Sequence, residues 1–268
     1  MKFTLLFLFI PSLILAQESK SVELYNVEKE DKIEVFVKND NIFPITLQVE
    51  MDFSNLRPSQ GLPLTEVIDA KADIKILELF PIKQHGGWEL ETSYRFFMGS
   101  IFADHTDDFV YRLPYRLGTQ RRVSQGYNGQ FSHTGSLRYS VDFQMPEGTQ
   151  IYAARSGIVV ETEESYREGG DDKYYIDKAN YITVLHDDGT FSEYSHLRPN
   201  GVVVSVGQRI RTGQLIGYSG TTGYTTGPHL HFNVKRVVQD GRYITIPVKF
   251  ATREGNIQLI EGENYRAL

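Results

Sequence analysis

The distribution of glycine along the chain is the sequence feature that most restricts its fold. Of the 23 glycines in 268 residues, 19 follow Leu117, where they separate short runs of β-branched and aromatic residues. Glycines in this pattern mark turns between short strands, because glycine adopts positive φ angles that other residues avoid. The first half is charged and nearly free of glycine. The sequence therefore predicts an all-β protein with two regions of different construction.

The first region shows the alternation that is typical of half-buried strands. In residues 45–53, Ile, Leu, Val, Met and Phe alternate with Thr, Gln, Glu and Asp, which places the apolar side chains on one face. Apolar runs at 33–37 and 74–76 and a weaker alternation at 90–98 add further strands, and no amphipathic helix of useful length competes with them. We predict a first domain at residues 17–115 with an Ig-like antiparallel β-sandwich fold.

The second region is a series of strand-like runs separated by turns such as Asp188-Gly189 and Asp240-Gly241. The stretch Leu113 to Arg122 contains a proline, a glycine and two adjacent arginines, a composition typical of a connection between domains. We place a second domain, built on an antiparallel β-sheet, at residues 116–268. The polar segment Glu163 to Lys178 is predicted to be a long surface loop that walls a groove.

The N-terminus and the composition restrict the compartment and the partners. Residues 1–16 have the basic start, apolar run and closing alanine of a signal peptide, so we expect a secreted or periplasmic protein with no transmembrane segment. A net charge of −6 and a pI near 5.7 argue against nucleic acid and anionic membranes as partners. Because the chain has no cysteine, any metal must be held by histidine and carboxylate side chains.

Two histidines separated by one residue, His229 and His231, lie within a strand-like run. Side chains at this spacing share one face of a strand, with Cα atoms about 6.5 to 7 Å apart. One could ligate a metal while the other stands beside it over a reacting group. Taken alone, the pair is equally typical of a polar strand face, and the chain lacks the helical HExxH motif.

Other histidine and aspartate elements accompany this pair. Ser132-His133 precedes Ser140-Val141-Asp142, and Tyr194-Ser195-His196-Leu197 follows a predicted strand and turn. From about residue 125 to 234, the chain resembles the LytM/lysostaphin-type zinc endopeptidases of family M23. The motifs that carry this resemblance occur in order: His133 and Asp142, Pro146 to Ala154, Gly157-Ile158-Val159, Asn180-Tyr181-Ile182, Tyr194 to Leu197, Val206-Gly207-Gln208, Gly213 to Gly217, Ser219 to Gly223 and Gly227 to Phe232.

The resemblance implies both a ligand set and a reaction. It implies that His133, Asp142 and His231 coordinate Zn²⁺, and that His196 and His229 act on the water and the developing oxyanion. The implied reaction is hydrolysis of peptide cross-links in bacterial peptidoglycan, whose stem or cross-bridge peptides would be the partners. Catalytic zinc typically has three protein ligands and an open position for water, which agrees with this set.

The chain departs from the commonest family pattern at the first ligand. That pattern has three residues between the histidine and the aspartate, which would place Arg138 at the ligand position, whereas eight residues separate His133 from Asp142. Arginine stays protonated and cannot ligate zinc. We therefore expect residues 134–139 to form a longer excursion, with His133 still reaching the metal.

Two alternatives remain open at this level. A catalytically inactive LytM-like domain could regulate a cell-wall amidase or bind peptidoglycan, although the retained histidines argue against it. A lipoyl- or biotinyl-like carrier domain would match the glycine-punctuated runs but would leave the histidines unexplained.

Two further histidines are predicted to have no role in the site, His186 as a surface residue at a strand end and His85 as part of a loop.

Overall fold

The computed structural model describes residues 21–83 and 86–268; the predicted signal peptide and His85 lie outside this range. The described part consists of β-strands and two short 3-10 helices, η1 (Gly135–Leu137) and η2 (Lys173–Tyr175), and contains no α-helix. The predicted all-β class is confirmed. The chain divides into two compact units, of which the first ends at Phe96 and the second begins at Phe97.

The first unit contains two antiparallel sheets with strand orders β1-β2-β6-β4 and β5-β3-β7. Val37 of one sheet shares a fully buried cluster with Ile45, Leu47 and Val49 of the other, as the alternation in residues 45–53 predicted. An Ig-like topology stays a prediction. The strands are β1 (Val22–Glu28), β2 (Ile33–Asn39), β3 (Ile45–Ser54), β4 (Leu56–Pro58), β5 (Leu64–Ile68), β6 (Asp73–Pro81) and β7 (Glu89–Met98).

The second unit is built around one large sheet and several small ones. Its strands are β8 (Val110–Tyr111), β9 (Gln120–Gln125), β10 (Val141–Gln144), β11 (Gln150–Tyr152), β12 (Gly157–Glu163), β13 (Gly169–Gly170), β14 (Tyr181–Leu185), β15 (Phe191–Ser195), β16 (Leu197–Val202), β17 (Arg209–Ile210), β18 (Leu215–Ser219), β19 (Gly223–Tyr224), β20 (His229–Val237), β21 (Tyr243–Thr245), β22 (Lys249–Thr252), β23 (Gly255–Ile257) and β24 (Asn264–Arg266).

The large sheet has the order β17-β12-β14-β15-β20-β10-β9-β24, with β21 pairing to β20, and its pairings are antiparallel. The remaining strands of the unit form the sheets β11-β18-β16 and β23-β22-β8 and the parallel pair β13-β19. The antiparallel sheet predicted for the second domain is therefore present. No helix within the described residues is long and apolar enough to cross a membrane.

Residues before the predicted domain boundary at 115/116 take part in the core of the second unit. Tyr111, Leu113 and Tyr115 are at most 1% exposed and belong to the same buried cluster as Phe143 and Phe232. The Tyr115 hydroxyl donates a 2.8 Å hydrogen bond to the carbonyl oxygen of Tyr265, near the other end of the unit. The stretch expected to connect two domains is thus partly core and partly strand β9, because its aromatic residues find apolar partners that local composition does not reveal.

Strand β20 crosses the middle of the large sheet and separates core from groove. Its residues Leu230, Phe232 and Val234 are at most 1% exposed and pack in the core. Since successive side chains of a strand point to opposite faces, His229, His231 and the residues that continue this row lie on the other face. The fold therefore presents the histidine pair on the side of the sheet that faces the groove.

Candidate metal centre

Two neighbouring strands place the carboxylate and one imidazole of the site opposite each other. In the β10–β20 pairing, Asp142 is the cross-strand partner of His231, and the Asp142 Oδ1 atom lies 2.8 Å from His231 Nδ1. Both residues are less than 10% exposed. Directly opposed residues in an antiparallel pair have Cβ atoms about 5 Å apart, so this contact follows from the register alone.

His133 reaches the same carboxylate from the whole connection between β9 and β10, residues 126–140, which we call the β9–β10 excursion. Its Nε2 atom lies 3.2 Å from Asp142 Oδ1, its ring centroid lies 5.2 Å from that of His231, and the side chain is fully buried. Its Nδ1 atom donates a 2.8 Å hydrogen bond to the carbonyl oxygen of Gly126, which fixes the ring. Arg138 is exposed and lies in the turn after η1. His133 and Asp142 therefore meet in space although eight residues separate them in the sequence.

Gln125, which sequence reasoning did not single out, ties the excursion to the carboxylate. Its Nε2 atom donates to Asp142 Oδ2 at 2.9 Å and to the Ser132 hydroxyl at 2.8 Å. Its Oε1 atom accepts from the backbone N–H groups of Phe131 and Ser132. A Cβ at Gly129 would lie 2.3 Å from Gln125 Cγ, so a glycine is required beside this side chain. A buried glutamine at the end of β9 was the only available signal.

The protonation pattern of these residues calls for a cation. Because His133 Nδ1 donates to a carbonyl, His133 Nε2 carries a lone pair in the neutral ring, and this lone pair faces the Asp142 carboxylate. Two acceptors at 3.2 Å repel unless a proton or a metal lies between them. Burial raises the pKa of Asp142, but the His133 and His231 rings, when they carry a proton towards the carboxylate, outweigh burial and hold this pKa well below its usual range.

The donor set fits zinc. His133, Asp142 and His231 offer two nitrogens and one oxygen that all lie within 4.8 Å of one another. Ligands about 2.0 to 2.1 Å from a tetrahedral zinc ion are about 3.3 Å apart, close to the 2.8 and 3.2 Å separations from Asp142 Oδ1. Two imidazoles and a carboxylate form a typical catalytic zinc set that leaves one position open.

His196 and His229 stand beside these three residues. Their ring centroids are 4.6 Å apart, and the His196 ring lies 6.0 Å from that of His231. His229 Nε2 is 3.7 Å from Asp142 Oδ1. His196 Nδ1 donates to the carbonyl oxygen of Thr222 at 2.6 Å, and His229 Nδ1 donates to that of Gly227 at 2.8 Å. Both rings are therefore fixed with Nε2 as the nitrogen free to take up a proton.

The backbone and the environment of His196 are both unusual. His196 has φ +63°, a left-handed conformation that is uncommon outside glycine, and it connects β15 to β16, which lies in a different sheet. Burial, together with the nearby His229 and His231, lowers the pKa of His196 to about 3. Burial likewise lowers the pKa of His229, although Asp142 opposes this effect. Both imidazoles are neutral near pH 7.

Asp142, His196, His229 and His231 line an open groove with a volume of about 570 Å³, and the fully buried His133 is not part of its lining. One wall is the β9–β10 excursion and the other is the segment around β19. The rings of Phe131 and Tyr224, one from each wall, stack 5.6 Å apart with an angle of 4° between their planes, and Phe131 is 57% exposed. The predicted wall loop Glu163–Lys178 contributes indirectly, because its β13 strand pairs with β19.

The structure thus brings all five sequence-predicted site residues together, while His186 lies apart from them. The prediction that His186 is a surface residue is wrong, because it is only 3% exposed and donates from Nδ1 to the Ser156 carbonyl oxygen at 2.8 Å. Within the described ranges, it is not part of the group that could hold a metal. A histidine before an Asp-Asp-Gly turn gave no local sign of burial.

Residues 136–245 match the model of Peptidase family M23. The chain is 29% identical over 174 residues to the peptidoglycan DD-endopeptidase ShyA of Vibrio cholerae, which covers 63% of this chain and 36% of the relative. It is 41% identical over 99 residues to lysostaphin of Staphylococcus simulans, which covers 37% of this chain and 18% of the relative.

Among solved structures, the catalytic domain of lysostaphin from Staphylococcus simulans aligns with a TM-score of 0.32 and 33% identity, covering 43% of this chain and 78% of that domain. The chain spans about a third or less of the length of the two curated relatives named above. The family match begins at Ser136 and so includes Asp142, His196, His229 and His231 but not His133. The place of His133 at the site rests on the geometry.

Proposed function

We propose that this chain is a member of peptidase family M23 and that its second unit is a zinc endopeptidase that hydrolyses peptide cross-links of bacterial peptidoglycan. The observation that carries the proposal is the convergence of three potential zinc ligands and two further neutral histidines at one open groove, which all of them except the buried His133 line. Relatives named as a peptidoglycan DD-endopeptidase and as lysostaphin support the substrate class. The predicted signal peptide would carry the enzyme to the compartment of the cell wall.

In the proposed mechanism, His133 Nε2, His231 Nδ1 and the Asp142 carboxylate hold the metal. Bound zinc would supply Lewis acidity, polarising a peptide carbonyl and lowering the pKa of water from 15.7 to about 7. Gln125 keeps one carboxylate oxygen of Asp142 engaged, so that the other faces the imidazoles. The ligands are held before substrate arrives, which avoids reorganisation during the reaction.

His196 and His229 perform the proton transfers in this proposal. Each ring donates from Nδ1 to a backbone carbonyl, so Nε2 is the atom that takes a proton from the attacking water. The same N–H can then donate a hydrogen bond to the developing oxyanion or return the proton to the leaving amine. Their lowered pKa values keep both rings neutral, and thus able to accept a proton, throughout the neutral pH range.

The test uses the purified chain from residue 17 onward and isolated sacculi of several wall chemistries. We expect about one zinc per chain, release of muropeptides whose masses show peptide-bond cleavage, and loss of release with a chelator followed by recovery on adding zinc. The matched control is His196→Ala, which should keep zinc and lose release. Stoichiometric zinc without release from any wall type would overturn the enzyme proposal and favour a regulatory role.

A further inference from the structure

The orientation of the imidazole rings separates His231 from four other histidines of the second unit. His133, His186, His196 and His229 each place Nδ1 2.6 to 2.8 Å from a backbone carbonyl oxygen, which fixes the proton on Nδ1. His231 instead turns Nδ1 towards the site. Its Nε2 atom lies 3.2 Å from the side-chain amide of Asn233, with the NH₂ group facing the ring.

This arrangement conflicts with a ligand role unless the amide is turned over. If His231 Nδ1 binds the metal, the ring proton is on Nε2, and two donors would then face each other across 3.2 Å. The Asn233 Oδ1 atom is meanwhile buried and has no hydrogen-bond partner. A half-turn of the amide plane exchanges oxygen and nitrogen at almost no cost in shape, and it resolves both defects.

We propose that Asn233 is a positioning residue for the metal centre: its Oδ1 accepts the Nε2–H of His231 and thereby holds His231 in the tautomer and orientation that present Nδ1 to zinc. Metal-bound histidines almost always donate their second N–H to a carboxylate or carbonyl, and the other site histidines use backbone carbonyls for this purpose. For His231, the hydrogen-bond acceptor for the second ring N–H is thus a side-chain oxygen, that of Asn233, instead of a backbone carbonyl.

The strand register explains why position 233 can serve this purpose. Residues two apart on β20 share a face, so Asn233 lies beside His231 on the groove side of the sheet, and it is 1% exposed. Its cross-strand partner on β15 is Glu193, which forms a half-buried ion pair with Lys235. The amide therefore occupies a fixed, dry position in which the loss of its oxygen cannot be made good by bulk water.

A second orphaned oxygen lies near the same row. Ser140 directly precedes Val141, and Val141 pairs with Phe232, the residue before Asn233. The Ser140 Oγ atom is also buried without a hydrogen-bond partner. Once the amide is turned over, its NH₂ group needs an acceptor. Continuing the β10–β20 register by one residue places Ser140 opposite Asn233, so we assign the Ser140 hydroxyl oxygen as that acceptor. The same reversal would then give a partner to both unpaired oxygens.

The test compares Asn233→Leu, which removes the acceptor at similar size, with Asn233→Asp, which keeps an acceptor in place. Zinc affinity is measured by competition with a chromophoric chelator, and thermal unfolding of the zinc-free forms shows that each variant folds. We expect Asn233→Leu to bind zinc about 10- to 100-fold more weakly, and Asn233→Asp to remain within a few-fold of the parent. Thr183→Val is the matched control, since it removes a buried unpaired hydroxyl in the same cross-strand row but two strands from Asn233, on β14, and should leave zinc affinity unchanged.

Nitrogen-15 NMR of the histidine rings in the zinc-loaded protein tests the tautomer itself. The parent should show a His231 ring protonated at Nε2 and a His133 ring protonated at Nδ1, and the exchange of the His231 proton should accelerate in Asn233→Leu. Parental zinc affinity in a folded Asn233→Leu protein would overturn the proposal. Equal losses in the Leu and Asp variants would also overturn it, since the acceptor would then not be the group that matters.

The inference rests on the proposed function only for the identity of the ligand, and the two fail in different ways. A parent chain that binds zinc tightly but hydrolyses no wall would disprove the enzyme and leave the role of Asn233 intact. If the parent hydrolyses the wall but its Asn233→Leu variant keeps full zinc affinity, the role of Asn233 is disproved and the enzyme proposal stands. A parent with no zinc affinity would disprove both.

Discussion

The second unit contains two buried histidine regions at different places in its large sheet, and only one of them has the geometry of a reactive site. In the metal centre, four imidazoles surround Asp142 at the floor of a groove. In the other region, which we call the Arg155 cluster, His186 lies against Tyr111, and the Arg155 guanidinium bonds to Tyr111 and Asp188. Both regions bury histidine rings and hold them by Nδ1–H bonds to carbonyls.

The difference lies in what Nε2 faces. In the metal centre, Nε2 of His133 and Nε2 of His229 both lie near the Asp142 carboxylate beside open space, so that they can exchange a proton or bind a cation. In the Arg155 cluster, His186 Nε2 is buried without a partner and Asp188 is already neutralised by Arg155. Burial of a histidine is therefore no sign of function by itself; convergence of unpaired ring nitrogens on an open groove is the distinguishing feature.

The largest effect should come from removing the carboxylate that the metal centre shares and the Arg155 cluster lacks. In Asp142→Ala, His133 and His231 lose the negative charge between them, so zinc content should fall to background and wall hydrolysis should cease. We expect zinc affinity to fall by more than the roughly 100-fold typical of a supporting residue. Equilibrium dialysis with metal analysis measures this; a stoichiometric zinc content in the variant would contradict the ligand assignment.

The next test separates His133 from Arg138, the residue at the spacing of the commonest family pattern. His133→Ala should empty the site, because His133 Nε2 is one of the three donor atoms at Asp142. Arg138→Ala should keep full zinc, because the arginine is exposed and stacks near Tyr139 rather than reaching the carboxylate. Zinc content is the readout for both. The opposite order of effects would show that the excursion folds differently.

A smaller effect on zinc, but a large one on turnover, is expected for His196→Ala. His196 holds no place among the three donors, so metal content should stay at the parental level. The rate of muropeptide release should fall about 10²- to 10⁴-fold, the usual contribution of a positioned acid or base. Initial rates on one sacculus preparation, with zinc measured in the same samples, test this expectation. A variant with near-parental turnover would exclude the proton role of His196.

The contrast between strand and excursion explains how far the sequence could predict the site. The spacing of His229 and His231 fixes their common face, because a strand alternates its side chains without help from the rest of the fold. The excursion from 126 to 140 has no such periodicity. Its closure on Asp142 depends on Gln125 and on the room left by Gly129, and these contacts exist only after β9 and β10 have paired.

The fold shows the same division. Alternation in residues 45–53 and the glycine turns after Leu117 predicted strands correctly, since both signals are local. The role of Tyr111, Leu113 and Tyr115 in the core of the second unit was missed, because it depends on partners far along the chain such as Tyr265. Burial of His186 was missed for the same reason. Local patterns identify elements, whereas core membership depends on tertiary packing.

The smallest effect should come from the Arg155 cluster and should appear in stability alone. Burial lowers the pKa of His186 to about 4, whereas a histidine in the unfolded chain titrates near 6.5. Between these values the unfolded state binds more protons, so stability falls as the pH drops from 6.5 to 4 and levels off below that range. The total loss in the free energy of unfolding across this pH range is about 3 kcal/mol. The pKa of Asp188 is lowered to about 2, so Asp188 stays ionised throughout this window.

His186→Gln removes the titrating ring and keeps an amide that can donate to the Ser156 carbonyl oxygen. The free energy of unfolding of the variant should therefore depend less on pH between 6.5 and 4 than that of the parent, by up to about 3 kcal/mol. Both proteins are measured with urea in the presence of a chelator, because loss of zinc from the metal centre in the same pH range would otherwise add to both curves. Zinc affinity and turnover at pH 7.5 should match the parent. Parallel stability curves would show that His186 has the same pKa in the folded and the unfolded chain, and the contrast between the two histidine regions would then no longer hold.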